Sequence, residues 1–215
     1  MSHALDIFIP SFNNFEYLRP CLESILRNKT SVGLFHVYVV NNGHKNSCDW
    51  INSPDITIFN TESNLGWEGA LEYALGKTSA PYVMFLNDDI IIPPTSLMWI
   101  NQLLQHFIHD EVGAVGPSSN VVMGLQNIFH QTDANIFTVK YLIGFCLMVR
   151  RQALIKAGGV DASLPGGDDL DLSIRLRDVG YKLIVDKNVF VYHHGFKTGT
   201  RVVGDAQKMN GWNSF

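Results

Sequence analysis

The stretch Tyr82-Val83-Met84-Phe85-Leu86-Asn87-Asp88-Asp89 decides the fold. Apolar, strand-like residues run straight into an amide and a pair of adjacent carboxylates, and a further apolar run, Ile90-Ile91-Ile92, is stopped by Pro93-Pro94. A strand without apolar/polar alternation is one covered on both faces, as in a parallel sheet. Such a strand delivers whatever follows it to the crevice at the carboxyl edge of the sheet, where open α/β sheets bind ligands. Neighbouring carboxylates repel each other. A divalent cation placed between them and an anionic ligand relieves that repulsion, and hard oxygen ligands suit Mg2+ or Mn2+. The pair therefore points to a metal that clamps a diphosphate; the plain alternative is an acidic turn after a strand.

Upstream of this stretch, strand and helix patterns alternate. Leu5-Asp6-Ile7-Phe8-Ile9-Pro10 reads as a first strand, and Ser11-Phe12-Asn13-Asn14 as a loop carrying helix-capping residues. Leu18, Leu22, Ile25 and Leu26 recur at helical spacing, which predicts an amphipathic helix over 15–27. Phe35-His36-Val37-Tyr38-Val39-Val40 is a second strand broken by the turn Asn41-Asn42-Gly43, and Ile56-Thr57-Ile58-Phe59 is a short third one. Asn64-Leu65-Gly66-Trp67 opens a helix with Ala70, Leu71, Ala74 and Leu75 on its apolar side. Buried strands alternating with helices imply right-handed crossovers and a mostly parallel sheet. The polar ends of the first, second and acidic strands are then expected on one edge, a nucleotide-type site. No GxGxxG and no Walker lysine loop is present, which argues against a dinucleotide Rossmann domain or a P-loop enzyme.

Downstream, a helix is expected over 97–108, a strand at 112–117, an apolar strand at 141–149 and a short helix from 151 to the Gly158-Gly159 stop. The stretch 118–139 shows no periodicity. Gly166-Gly167-Asp168-Asp169-Leu170-Asp171-Leu172 opens another helix, in which Asp171 and Arg175 stand at i,i+4. Acids in a first helical turn answer the helix dipole, but three within four residues exceed what capping needs. Their mutual repulsion is expected to raise at least one pKa, a property useful in a general base. Strands are read at 182–185 and 189–192, the latter delivering His193-His194-Gly195. A histidine at a strand end, in a chain that already offers an acid pair, is a candidate metal ligand.

The totals bound the classes. The chain has 215 residues, 46% hydrophobic and 17% charged, which suits an ordinary folded domain. A net charge of −4 argues against nucleic acid as a partner. Three scattered cysteines without metal-type spacing suggest a reducing, cytoplasmic setting. No signal peptide or membrane-length apolar run is seen, so any membrane contact is expected to be peripheral or to come from a region outside this sequence.

Taken in order, these segments resemble an inverting glycosyltransferase of the large family 2 type, with the GT-A fold. The resemblance runs from about residue 5 to residue 200. It is carried by Asp6-Ile7-Phe8-Ile9-Pro10-Ser11-Phe12-Asn13, Val39-Val40-Asn41-Asn42-Gly43, Asn64-Leu65-Gly66-Trp67, Phe85-Leu86-Asn87-Asp88-Asp89 as the DxD-type motif, Gly167-Asp168-Asp169-Leu170-Asp171-Leu172 as the acidic base motif, and Val191-Tyr192-His193-His194-Gly195. It implies a Rossmann-like nucleotide-binding half (1–92), an acceptor and catalytic half (93–200) and a tail or lid (201–215) in one GT-A domain, with room for a longer protein around it. Pro10, Ser11, Phe12, Asn41, Asn64, Gly66, Asn87 and Asp88 are then expected to bind a nucleotide-sugar, UDP-linked by preference, with Arg201 in the basic segment that follows the histidines. Asp89, Asp88 and His193 are expected to hold Mn2+ or Mg2+, with His194 as runner-up. Asp169 matches the general base that deprotonates the hydroxyl of a glycan, lipid-linked or protein-linked acceptor, and Asp168 would hold the acceptor or tune Asp169. Asn41 departs from the family's more frequent aspartate and Asn87 from the first acid of a full DxD. Gln207-Lys208-Met209-Asn210-Gly211-Trp212 lacks the arginine and spacing of the QxxRW motif of processive members, so transfer of a single sugar is expected. Two other classes share some of these features: a sugar-nucleotide-forming nucleotidyltransferase and a non-catalytic sugar-nucleotide or glycan-binding module.

Overall fold

The computed structural model describes residues 3–28, 34–164 and 166–195. The expected tail or lid at 201–215, Arg201 included, lies outside them. The elements are β1 (Leu5–Ser11), α1 (Phe15–Arg27), β2 (Phe35–Asn41), β3 (Ile56–Asn60), α2 (Gly66–Leu75), β4 (Tyr82–Leu86), β5 (Ile90–Ile91), α3 (Trp99–Leu104), β6 (Val112–Ser118), β7 (Ile136–Val139), β8 (Cys146–Arg150), α4 (Arg151–Lys156), α5 (Asp168–Asp178), β9 (Lys182–Phe190) and β10 (Tyr192–His193). Among the described residues, no helix is long and apolar enough to cross a membrane.

The central sheet has eight strands in the order β3-β2-β1-β4-β8-β6-β9-β7. β3, β2, β1 and β4 are mutually parallel, β8 runs against both β4 and β6, and β7 runs against β9. The winding reverses at β1. The chain moves outward from it through β2 to β3, then returns through α2 to β4 on its other side. That reversal opens a crevice at the carboxyl ends of β1 and β4, the switch point at which such sheets bind ligands.

Strand periodicity divides the core between the two sheet faces. Leu5, Ile7 and Ile9 of β1, with Met84 and Leu86 of β4, pack with Leu18, Cys21, Leu22 and Ile25 of α1 and with Trp99, Ile100 and Leu103 of α3. The alternate residues Phe8, Val83 and Phe85 pack with Ala70, Leu71 and Ala74 of α2 and with Leu172 and Leu176 of α5. Each such aliphatic or aromatic side chain contributes about 1.5–3 kcal/mol on burial. The small residues of α2 let that helix lie close over β1 and β2.

Four expectations are corrected. The apolar run 141–149 is a strand only from Cys146. Before it, the N–H groups of Leu142, Ile143 and Gly144 bond to side chains of Ser173, Gln126 and Asp169, so no ladder forms there. The strands read at 182–185 and 189–192 are one bulged strand, β9, followed by the short β10. The helix expected over 97–108 begins at Trp99 and finishes as a 3-10 turn over Gln105–Ile108. The aperiodic 118–139 stretch contains a 3-10 turn at Gly124–Gln126 and the strand β7, held by its pairing with β9 rather than by its own pattern.

Candidate active site

The crevice between β1 and β4 is lined by the predicted loops. Both oxygens of Asp88 accept hydrogen bonds from the end of β1: Oδ2 from the Ser11 hydroxyl at 2.7 Å and Oδ1 from the Asn14 amide at 2.9 Å. Asn14, expected as a helix cap, makes no side-chain cap bond; its amide serves Asp88 instead. Asp88 thus joins the two strands that flank the switch point. The loops after β1 and β2 interlock as well. Asn13 has φ 51°, and its Oδ1 accepts the His44 N–H at 2.8 Å. A Cβ at position 43 would lie 2.2 Å from that same oxygen, so the turn requires Gly43.

Asn41, expected at the nucleotide base, has its amide engaged inside the protein. Nδ2 donates to Asn60 Oδ1 at 2.8 Å and to the His44 carbonyl at 3.2 Å, while Oδ1 accepts from Gly43 N–H and Ser47 Oγ. It shapes the loop that follows β2. Asn42 binds the next loop, donating to the Gly66 carbonyl at 2.7 Å, and Asn64 Oδ1 accepts the Gly66 N–H at 2.9 Å to make the turn into α2. Pro10 lies buried within β1 against Val40, and Phe12 is half-buried just beyond it.

Asp89, only 3% exposed, meets His193 across more than a hundred residues of chain. The contact comes from β5 and β10, which pair Ile90 with His193, while the His194 N–H donates to the Asp89 carbonyl at 3.0 Å. His193 Nε2 stands 3.2 Å from Asp89 Oδ1 and 3.3 Å from the Asn87 amide nitrogen, and its ring stacks on Phe145 at 5.3 Å. Its Nδ1 lies 2.7 Å from the Val121 carbonyl. A carbonyl can only accept, so the His193 Nδ1–H donates to Val121, which leaves Nε2 to accept from the Asn87 amide beside the Asp89 carboxylate. The ring of His194, by contrast, packs edge-on to Tyr17 and Tyr192. Among the described residues no group of three or more His, Cys, Asp or Glu converges as a metal site. Asp89 and His193 thus face each other, while Ser11 and Asn14 each hold one oxygen of Asp88.

The acids of α5 form the opposite wall. Asp169 Oδ2 accepts the Gly144 N–H at 3.0 Å and Oδ1 the Leu170 N–H at 2.8 Å, which fixes the carboxylate. A Cβ at position 144 would lie 3.1 Å from the Trp67 ring and 3.5 Å from Asp169 Cβ, so glycine allows this approach. Trp67 packs edge-on to Phe85 at 6.1 Å, and its indole nitrogen is buried without a hydrogen-bond partner. Asp171 pairs with Arg175 as the spacing predicts, at 2.6 Å. The carboxyl with the raised pKa is Asp168, not the expected base: burial first, then the charges of Asp169 and Glu68, push it up to about 7.

Two polar residues that hold the site together were not legible as such. The Asn120 side chain clamps the His193 backbone, donating to its carbonyl at 3.1 Å and accepting its N–H at 2.8 Å. Buried Gln126 accepts the Ile143 N–H at 2.7 Å and donates to the Pro117 carbonyl at 3.0 Å. Both lie in the aperiodic stretch, where the available signal was only their polarity among apolar neighbours.

A sequence model described as glycosyl transferase family 2 matches residues 6–158, and the chain belongs to that family. A pre-mycofactocin glycosyltransferase of Mycobacterium tuberculosis (strain H37Rv) is 27% identical over 87% of this chain and 42% of that protein. An uncharacterised protein of the same strain is 26% identical over 94% of this chain and 78% of its own length. Among solved structures, a mannosyltransferase from Pyrobaculum calidifontis in complex with GDP-Man and Mn2+ superposes with a TM-score of 0.72 at 15% identity, over 96% of this chain and 62% of that one. GalNAc-T7 with UDP, GalNAc and Mn2+ gives 0.74 at 13% identity, over 89% and 44%. The fold is therefore GT-A, and the chain spans less than two thirds of either solved protein.

Proposed function

We propose that this chain catalyses metal-dependent, inverting transfer of one sugar from a nucleotide-sugar to an acceptor hydroxyl, with UDP as the first nucleotide to test. The observation that carries this reading is the Asp89–His193 pair at the end of β4, on one side of a crevice whose other wall holds Asp169 by the Gly144 amide. One carboxylate and one imidazole suit Mn2+ or Mg2+, which complete their coordination with phosphate oxygens and water. Bound there, the ion would stabilise charge developing on a nucleoside diphosphate leaving group. The printed GDP-Man, UDP and Mn2+ of the two structural neighbours are in keeping with this.

The chain's own residues divide the work. Ser11, Asn14 and Asp88 brace the crevice at the nucleotide, with Pro10, Phe12, Asn64 and Gly66 on its rim. Asn41 acts there by shaping the loop after β2. Asp89 and His193 face the diphosphate. Asp169, oriented by the Gly144 and Leu170 amides, takes the proton of the acceptor hydroxyl as it attacks the anomeric carbon from the face opposite the leaving group, so the configuration inverts. The acceptor, a glycan or another hydroxyl-bearing molecule, enters beside Asp168 and the 118–138 loop. Residues 1–92 form the nucleotide-binding half and 93–200 the acceptor and catalytic half, which sends His193 back to the donor. A cytoplasmic setting is in keeping with three free, buried thiols.

The test is a thermal-shift panel of UDP, GDP, dTDP and CDP, each with and without Mn2+. A ligand that binds only the folded state raises the melting temperature by mass action. One nucleotide giving a Mn2+-dependent rise is expected. No rise with any of them would remove the donor site and with it this reading.

A further inference from the structure

Exposed apolar side chains gather in the chain between β6 and β8. Met123 and Phe129 are 72% and 78% exposed, and Leu125, Ile128 and Tyr141 are exposed as well. One loop draws them together. Gly124, at φ 68°, lies under the Tyr141 ring, where a Cβ would come within 3.2 Å of that ring. The Gly124 carbonyl stands 2.7 Å from His130 Nδ1. Asn127 donates its amide to the Val122 carbonyl and accepts the Phe129 N–H. Single exposed apolar residues are ordinary, but five drawn into one loop form a patch. Cations stand at its edge. Lys140 precedes Tyr141, the Arg177 guanidinium lies 3.4 Å from the Lys140 carbonyl, and Lys187 Nζ donates to the His130 carbonyl. The acids nearby in sequence are Asp133, four residues past Phe129, and Asp178, next to Arg177, while Asp186 is buried against His106.

We propose that this patch docks the protein on an anionic lipid bilayer, with Met123 and Phe129 entering the boundary between headgroups and acyl chains and Lys140, Arg177 and Lys187 meeting lipid phosphates. Apolar side chains edged by cations bind such a surface by burial and by attraction together. Side chains as exposed as Met123 and Phe129 stand out from the surface, whereas a small soluble ligand is held in a concave, largely enclosed site. The loop is also tied to both parts of the candidate active site. Tyr141 is three residues from Gly144, whose N–H holds Asp169, a reach of at most about 11 Å. Gln126, inside the loop, accepts the Ile143 N–H. At the other end Asn120 and Val121 hold His193. An acceptor hydroxyl borne on a lipid therefore arrives beside Asp169 while its apolar part stays in the bilayer. That last step rests on the glycosyl-transfer reading above; the docking surface does not.

The test is co-sedimentation of the full chain with vesicles of phosphatidylcholine alone and of phosphatidylcholine mixed with phosphatidylglycerol. The wild-type protein is expected to bind the mixed vesicles more tightly than the neutral ones, and less tightly as salt is added. Phe129→Ser and Met123→Ser are each expected to lower partition into the mixed vesicles about tenfold, the effect of withdrawing one large apolar side chain. Lys140→Gln is expected to lower it about fivefold, and on the mixed vesicles only. Should Phe129→Ser not fold, Met123→Ser and Lys140→Gln carry the test. No sedimentation with either vesicle, or partition unchanged in the apolar variants, would overturn the proposal. So would a dimer in sedimentation velocity that Phe129→Ser dissociates, because the patch would then belong to a second copy. The nucleotide panel on the wild-type protein judges the glycosyl-transfer reading without vesicles, so the failure of one is distinguishable from the failure of the other.

Discussion

The two walls of the crevice are built by different means. On the donor side, β1, β2, β3 and β4 run parallel in unbroken register and their polar ends arrive on one edge because the strands do. On the proposed acceptor side, β8 runs backward, β9 is bulged, and the chain before β8 is held by side chains bonded to backbone: Gln126 to Ile143 and Pro117, Ser173 to Leu142, Asp169 to Gly144. A wall made by strand register tolerates the loss of one polar side chain. A wall made by side-chain bonds does not, because each lost partner leaves a backbone group without one.

The largest expected effect breaks the acceptor wall at its chemistry. Asp169→Asn is expected to slow nucleoside diphosphate release from the donor about 10²–10⁴-fold, the range for loss of a general base. An unchanged rate would remove Asp169 from that role. On the donor side, Asp89→Ala and His193→Ala are each expected to abolish the Mn2+-dependent part of the nucleotide thermal shift. Should both variants keep the full shift, the cation pair is misassigned.

Smaller effects sharpen the contrast in stability. Gln126→Ala orphans the Ile143 N–H and the Pro117 carbonyl, at about 1–3 kcal/mol per buried group. Its melting temperature is expected to fall by roughly 5 °C or more, against roughly 3 °C for Ser11→Ala, which loses one hydrogen bond within a register-held wall. Equal falls in differential scanning calorimetry would erase the distinction.

The smallest effect is a dependence on pH. Asp168 keeps its proton up to about 7 in the folded chain against an ordinary value of 3.8. Between those values the folded state binds more protons than the unfolded one. Stability from this group is therefore complete below the unfolded value and is lost as pH rises through the folded one. Asp168→Asn lacks that loss, so its melting temperature relative to wild type is expected to climb by a few degrees between pH 5 and pH 8. A flat difference would mean that Asp168 ionises like an exposed acid.

Much of the donor wall was legible because its signals are local. Tyr82-Val83-Met84-Phe85-Leu86 is apolar on both faces whatever it packs against, and the acids that follow it reach the carboxyl edge by covalent continuity. Leu18, Leu22 and Ile25 mark α1 by spacing alone. The run 141–149 misled for the opposite reason. Its composition fits a strand, but the N–H groups of Leu142, Ile143 and Gly144 found side-chain acceptors before they could find a ladder. Asn14 misled in the same way, since an amide before a helix reads as a cap until an Asp88 stands within its reach.

By itself the sequence determined the order of strands and helices, the side of the sheet on which polar loops collect, and the acids, amides and histidines that those loops carry. Each follows from periodicity or chain continuity. Only the tertiary structure decided which of the adjacent histidines meets Asp89, which of the adjacent acids carries the raised pKa, and which amides brace the site. Those choices depend on β5–β10 pairing, on the burial of Asp168 beside Asp169 at the start of α5 and on hydrogen bonds between residues more than seventy positions apart. Neighbours in sequence have nearly the same composition around them, and what separates their roles is the direction in which the fold points each side chain.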